Sequence, residues 1–513
     1  MKSRYFPLLI AVLPGIVCMP TARAQFTASD QTLTIVGTTN NWVGTYFVGR
    51  SNTTTHVLYD HDTLQVGPGG VLSNSATLEG VLSSNNNVVI SGTGAVVEST
   101  GSFTVGYSGA QNTLVLDGGG TVVDVTGSVG GTFIDDNDNT ALVTDPGTLW
   151  TNSPFFANPG QFMVGGVGSR NSLVLSNSAV IVDDVGYIGS GAPDDHNTVL
   201  VADNAVWVNH QTLYVAYYGQ ENVLTIAGGS VIASNLFICF STAASFASNN
   251  AIHVNSGSLI VTNALLEGLL NVSHFGGEGE LTIDGGSVTV DGLIATNGTN
   301  SVLIFNSGTL DSKGTLIDNN QEFLVGNGTN AALYHLSGGT HIFSNGLHIT
   351  KAATLSGCGT INGAVTVDAG GTILADCGGV LNFANGVVNN GTMTAINGSV
   401  LEASGLVVNN GLLDLINGGG TNFSGGFINN GTVLDFQNVQ ISQAGPSGPD
   451  FVIQIPSASG HTYQVQVTST LTAPNWNGLG AAQSGNGSVL TFTDPGAMTN
   501  ASSRFYRVEV TAP

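Results

Sequence analysis

Two acidic clusters, Asp183-Asp184 and Asp194-Asp195-His196, are the best candidates for catalysis in the chain. Glycoside hydrolysis uses two carboxyl groups about 5 to 9.5 Å apart, one acting as acid and the other as nucleophile or base. Neighbouring turns of a repeating fold could supply that separation. The sequence context favours a plainer role. Asp183 and Asp184 stand before Val185-Gly186-Tyr187-Ile188-Gly189, a turn position of the repeat described below, where Asp ordinarily supports the bend. Enzymes of acidic polysaccharides also need Arg or Lys against the uronate, and residues 171–312 contain neither.

Other residue types suggest other chemistry. Asp135, Asp136 and Asp138, interleaved with Asn137 and Asn139, are the densest set of hard oxygen donors, the kind that Ca2+ collects. The spacing of a calcium-binding loop and its closing Glu are missing, so a solvated loop is expected, with Ca2+ as the one cofactor the residues suggest. Cys358 and Cys377 lie 19 apart, nearly one of the 20-residue repeats around them. They are placed to stack on adjacent turns as a disulfide, with buried free thiols as the alternative. Cys239, within Leu236-Phe237-Ile238-Cys239-Phe240, reads as core. Tyr463, Trp476 and Tyr506 near the C-terminus could offer faces for glycan stacking. The ten His residues are scattered and form no metal motif.

The elements that would position these residues follow from internal repeats. Phe103-Thr104-Val105-Gly106 leads to Asn112-Thr113-Leu114-Val115-Leu116, and Phe162-Met163-Val164-Gly165 leads to Asn171-Ser172-Leu173-Val174-Leu175. The same order returns at Tyr214-Val215-Ala216-Tyr217 with Asn222, and at Phe323-Leu324-Val325-Gly326 with Ala332. Asn87, Asn112, Asn171, Asn197, Asn222 and Asn250 are 25, 59, 26, 25 and 28 apart, which gives a step of 25–30 residues with one double step. Trp42, Val97, Trp150 and Trp207 mark a longer unit of about two steps. From residue 351 the step shortens, and Asn389-Asn390-Gly391, Asn409-Asn410-Gly411 and Asn429-Asn430-Gly431 recur every 20 residues.

Each repeat holds runs of four to six residues that alternate apolar and polar, bounded by Gly, Asn, Asp and Ser, and helical periodicity is nearly absent. Such units predict an all-β chain: a long right-handed parallel β-helix of roughly 17 coils over residues 25–441, stacked at about 4.8 Å. Residues 25–350 carry the longer coils and 351–441 the NNG coils. Gly445 to Pro449 punctuate a linker over 442–449, and 450–513 read as a small antiparallel β-sandwich. Arg504 and Arg507 in its last strand are expected to pair with Glu509 or Asp494.

Composition agrees. Gly accounts for 72 of 513 residues, which repeated corners explain, because they favour residues that tolerate positive φ. The net charge of −24 excludes a nucleic-acid partner, which requires a basic footprint. Residues 1–24 have the form of a secretory signal peptide: Lys2 and Arg4, an apolar stretch, then Ala22-Arg23-Ala24 as cleavage site. The mature chain would carry 6 basic against 33 acidic residues, a net charge of −27, and no transmembrane segment.

The phrases Phe162 to Gly165, Asn171 to Leu175, Val185 to Gly189 and Asn197 to Trp207 resemble a repeat family of exported bacterial proteins. That family occurs in autotransporter-like passengers and in proteins with PEP-type C-terminal sorting signals. The resemblance covers residues 30–350. The stretch with Tyr463, Trp476, Asp494 and Arg504-Phe505-Tyr506-Arg507-Val508 resembles a module appended to exported proteins of Verrucomicrobia-type bacteria. Both resemblances imply a secreted or cell-surface, passenger-like or adhesin-like protein. The chain departs from each architecture: 72 residues follow residue 441, too few for a membrane barrel, and the ending Val510-Thr511-Ala512-Pro513 lacks a sorting helix. The expected function is therefore a non-enzymatic solenoid acting through extended faces on an extracellular glycan or envelope component. The alternatives are a carbohydrate-active β-helix enzyme on a neutral glycan, or glycan binding by the C-terminal module.

Overall fold

A computed structural model describes residues 26, 28–51, 60–131, 133, 135–154, 158–191, 196–240, 248–435, 439, 441–500 and 503–511. The signal sequence and the pair Asp194-Asp195 lie outside these residues. The described chain is nearly all β, a parallel solenoid of about 15 turns followed by two antiparallel sheets.

The alternation in the sequence builds the walls. In the strand Thr113–Asp117, Leu114 and Leu116 are buried while Thr113, Val115 and Asp117 face outward. Parallel pairing holds register from coil to coil, so like sits on like. Val88, Leu114, Ala141, Leu173, Val199, Leu224, Ile252 and Leu281 form one continuous inward column. Fully burying each Leu or Ile of this kind contributes about 1.5–3 kcal/mol. Val97, Trp150 and Trp207 lie in a second inward column at alternate coils, the longer unit expected from their spacing. Trp42 falls outside that column: Asn40 holds the register position opposite Leu72, and the Trp42 indole instead donates to the Thr45 carbonyl at 3.1 Å.

The recurrent Asn builds a ladder through the interior. It begins at Asn86, not at the neighbouring Asn87, and Asn139 fills the double step. Asn86, Asn112, Asn139, Asn171, Asn197, Asn222 and Asn250 are each at most 1% exposed. Each Oδ1 from Asn112 to Asn250 accepts two N–H groups from the Asn one coil below, while Asn86 Oδ1 accepts the Asp62 amide at 3.0 Å. Asn112, for example, donates its backbone N–H (2.9 Å) and its Nδ2 (3.0 Å) to Asn139 Oδ1. The same pair of bonds links Asn86 to Asn112, Asn139 to Asn171 and each later pair up to Asn222 and Asn250. Corner glycines make room for these amides. A Cβ on Gly80, Gly106, Gly165 or Gly189 would lie 2.2–2.5 Å from the amide of Asn112, Asn139, Asn197 or Asn222, and all four have φ near +70°. The ladder ends at Asn250, whose Nδ2 donates to the Gly219 carbonyl at 3.1 Å and the Cys239 sulfur at 3.2 Å instead of to a further Asn.

A separate face begins at Phe323–Val325 and continues through Leu347–Ile349, Val365–Val367, Val387–Asn389, Val407–Asn409 and Phe427–Asn429. The change of coil type therefore starts before residue 351. The NNG corners carry two ladders of opposite polarity. Asn389 donates to Asn409 and Asn409 to Asn429, both at 2.8 Å, whereas Asn430 donates to Asn410 and Asn410 to Asn390, both at 2.9 Å.

Residues 442–449, expected to be a linker, hold the strand Gln443–Ser447 and the turn of a hairpin to Asp450–Pro456. Gly448, at φ +64°, makes that turn. The pairing is antiparallel, so the Gly-Pro punctuation marks a hairpin at the module's edge, where proline is tolerated. Thr462–Thr468 and Phe505–Thr511 pair in the second sheet, and Ile453, Ile455, Tyr463, Val465, Leu490 and Phe492 close a separate core. One buried polar contact joins module to solenoid: His461 Nε2 meets Asp414 Oδ2, both side chains about 5% exposed or less.

The Gly–Asn fit gives the first prediction. Gly106→Ala forces a side chain into positive φ and onto the Asn139 amide, and should destabilise the solenoid by about 3 kcal/mol. Gly292→Ala, where the added Cβ meets only ordinary contact at 3.5 Å, should stay within about 0.5 kcal/mol of wild type. Urea unfolding followed by circular dichroism compares the two, and equal midpoints would refute the lock.

Candidate functional site

The structure separates the acids that sequence spacing brought together. Asp183 and Asp184 are consecutive in the strand Val180–Ile188, so they point to opposite faces. Asp183 is fully buried, and its Oδ2 accepts the Trp207 indole N–H at 2.7 Å. Asp184 is half-buried on the outer side, with Oδ2 accepting the Gly160 amide at 3.0 Å. The pair therefore cannot face one substrate bond, and a strand, not a turn, carries it. His196 forms an exposed pair with Glu221 at 2.6 Å.

Asp183 belongs to a motif that occurs twice. One coil-pair earlier, Asp124 accepts the Trp150 indole N–H at 3.1 Å and the side-chain amide of Asn152, its register partner on the next coil. Asn209 is the corresponding register partner of Asp183. Gly127 and Gly186 leave the space that Asn152 and Asn209 occupy; a Cβ there would lie 2.7 and 2.2 Å from the amide atoms. Burial pushes the Asp124 carboxyl up to about 8 and holds Asp183 well above the carboxylate range, with the Trp and Asn donors only partly offsetting it. Glu79, also fully buried, is raised for the same reason. Asn152 Oδ1, Asp183 Oδ1 and both amide atoms of Asn209 are buried without hydrogen-bond partners. A neutral carboxylic acid, able to donate as well as accept, is the form that suits such a column.

The oxygen cluster at 135–139 also disperses. Asp135 is exposed. Asp136 is buried, with Oδ2 accepting the Phe133 amide at 2.7 Å, and burial pushes it up to about 7. Asp138 holds Arg170 in a two-bonded pair at 2.7 and 2.8 Å, which lowers its own titration. These three carboxyls do not converge on one point, and a resident guanidinium occupies the best acceptor. Among the described residues no three His, Cys, Asp or Glu side chains gather as a metal site. No helix of the described chain is long and apolar enough to cross a membrane.

In the C-terminal module the three aromatic candidates do not share a platform. Tyr463 is fully buried, and its hydroxyl accepts the Ala458 amide at 2.8 Å. Tyr506 stacks on Phe451 at 5.3 Å and donates to Asp494 at 2.8 Å. Trp476 lies under the Arg507 guanidinium, 4.6 Å from its ring centre. Arg504 takes the expected partner, Asp494, at 2.6 Å, while Arg507 bonds Gln466 instead of a carboxylate. The sulfurs of Cys358 and Cys377 meet as a disulfide across Cα atoms 5.9 Å apart, and Cys239 is buried and free.

No family model, curated protein or solved structure matches the chain.

One surface feature was not drawn from the sequence. Met163, Tyr187, Tyr214 and Phe237 occupy one register column on the outer face of successive coils, which the buried Asn271 continues. A second column, at the following corner, holds Ser190, Tyr217, Phe240 and His274. Tyr187 stacks on Tyr214 (5.2 Å) and Tyr214 on Phe237 (5.7 Å); Tyr217 stacks on Phe240 (5.1 Å) and Phe240 on His274 (5.2 Å). The two columns meet edge to face. All these rings are partly exposed, and the adjoining Phe275 is 49% exposed. The signal in the sequence is an aromatic recurring at the coil step just before the apolar-small pairs Ile188-Gly189, Val215-Ala216 and Ile238-Cys239, and just after the last two of them.

The buried acids generate a pH prediction. A carboxyl raised by folding binds more protons in the folded chain than in the unfolded one, so its contribution falls as pH rises. For Asp124 the loss starts near the unfolded value of about 4 and continues to about 8. Asp124→Asn and Asp183→Asn keep the acceptor for the indole and remove the charge. At pH 8 each should be more stable than wild type by on the order of 1–3 kcal/mol, and at pH 4 equal to it within about 0.5 kcal/mol. Thermal melts from pH 4 to 9 give the comparison; wild-type stability that rises across this range, with no relief in the variants, would contradict it.

Proposed function

We propose that this chain is an exported, non-enzymatic solenoid of the cell surface or extracellular matrix, adhesin-like in acting through long repeated faces. The observation that carries the reading is the fate of the strongest catalytic candidate. Asp183 is enclosed beneath Trp207 with its neighbour Asp184 on the opposite face, so the pair is structural. The N-terminal 24 residues, with their basic start, apolar stretch and Ala22-Arg23-Ala24, support export. The resemblance of residues 30–350 to passenger repeats supports a surface location. An excess of acid over base on a chain of stacked strands supports solubility and discourages edge-to-edge association. The partner is an extracellular glycan or envelope component.

Two measurements test this. Purified chain incubated with neutral glucans, mannans and xylans should release no reducing ends and no unsaturated sugars; turnover abolished by Asp184→Asn would restore the enzyme reading. In an exporting bacterial host, the protein should be recovered outside the cytoplasm with Gln25 as its N-terminal residue. Full-length protein confined to the cytoplasm would overturn export.

A further inference from the structure

We infer that the exterior aromatic columns, Tyr187-Tyr214-Phe237 and Tyr217-Phe240-His274, are a binding strip for an extended neutral polysaccharide. This names the ligand class of the adhesive role proposed above and rests on that reading for its biological setting.

The rings are not a requirement of the fold. Met163 and Asn271 hold register-equivalent positions in the first column, and Ser190 in the second. The coils close equally well around an aliphatic, an amide or a hydroxyl at these sites. Rings held at a surface gain only part of the burial they would gain in the core, and a contiguous exposed apolar patch on a soluble chain marks an interaction site. Four of the 11 Tyr residues fall at 187, 214, 217 and 218, each joining an apolar ring to a hydroxyl. That combination suits a pyranose, which has an apolar C–H face and a rim of hydroxyls.

Spacing and charge specify the ligand further. The coil stack sets the ring-to-ring step at 5.1–5.7 Å along both columns. One pyranose advances an extended chain by a similar length, so successive sugars meet successive coils. Many weak stacking contacts in line then act together on one polymer. Residues 171–312 contain no Lys or Arg. The strip therefore lacks the cations that uronates, sulfated glycans or lipid phosphates need, and the ligand is neutral. At one end the partly exposed His274 ring, held 2.9 Å from the buried Asn271 amide, gives the strip a polar terminus.

The test uses the full chain and variants that borrow residues the fold already accepts: Tyr214→Met, copying Met163, combined with Tyr217→Ser, copying Ser190. Trp476→Ala, in the other module, is the control. Affinity electrophoresis and sedimentation with insoluble β-linked glucan, mannan and xylan should show retention of wild type by at least one of them. The double variant, with an unchanged melting temperature, should bind roughly tenfold or more weakly, and Trp476→Ala should bind as wild type does. Retention by none of the neutral polymers, or equal retention of the double variant, would overturn the proposal. So would loss only in Trp476→Ala. Light scattering that shows a dimer dissolved by the double variant would reassign the strip to self-association. Strip-dependent binding to phosphatidylcholine vesicles would reassign it to lipid. Cleavage of a bound glycan would refute the non-enzymatic role while leaving the strip intact, so the two readings fail separately.

Discussion

The solenoid depends on the fit between one residue without a side chain and another with a short amide. Where the chain leaves one wall and enters the next, its corner must turn through positive φ, and glycine does so at least cost. The hollow left by Gly80, Gly106, Gly165 or Gly189 is filled by the Asn of a coil above. That Asn also satisfies the backbone N–H of the Asn below it, so a corner that would otherwise bury unpaired polar groups is hydrogen-bonded throughout. Register, coil spacing and the inward alternation of Leu, Val and Ile all follow once this corner is fixed. The shorter NNG coils solve the same problem with paired Asn ladders of opposite direction.

The interior that results is polar along one line and apolar elsewhere. Asp124 and Asp183 enter it because alternate coils bring a tryptophan whose indole N–H needs an acceptor. Each buried acid then has its proton held by desolvation. Carboxyl groups far from their usual titration range commonly indicate catalysis. Here the same perturbation arises from packing, since Asp124 and Asp183 are enclosed against the indoles of Trp150 and Trp207.

The fold was legible because its signals are periodic. Asn112, Asn171, Asn197 and Asn222 announce their ladder by recurrence alone, and the NNG triplets announce theirs. At Asn86 recurrence alone points one residue too far, because Asn87 stands beside it and faces outward. Trp42 shares spacing but not register with Trp150. The 442–449 stretch reads as a linker because Pro and Gly punctuate both linkers and edge hairpins, and only pairing distinguishes them. Sites were less legible. Adjacent acids look like a catalytic pair until strand alternation sends Asp183 inward and Asp184 outward. The aromatic columns escape notice because their members are 23 to 34 residues apart and become neighbours only once coils stack.

Because each coil from Asn86 to Asn222 brings its own asparagine seated on its own glycine, no single rung within the ladder is privileged. Removing one coil between equivalent corners leaves the amides above and below in the same mutual geometry, and duplicating one does the same. The heritable unit of change is therefore a whole turn. A lineage carrying this chain can lengthen or shorten its reach by unequal recombination between repeats, in steps of one strand spacing, without inventing a new core.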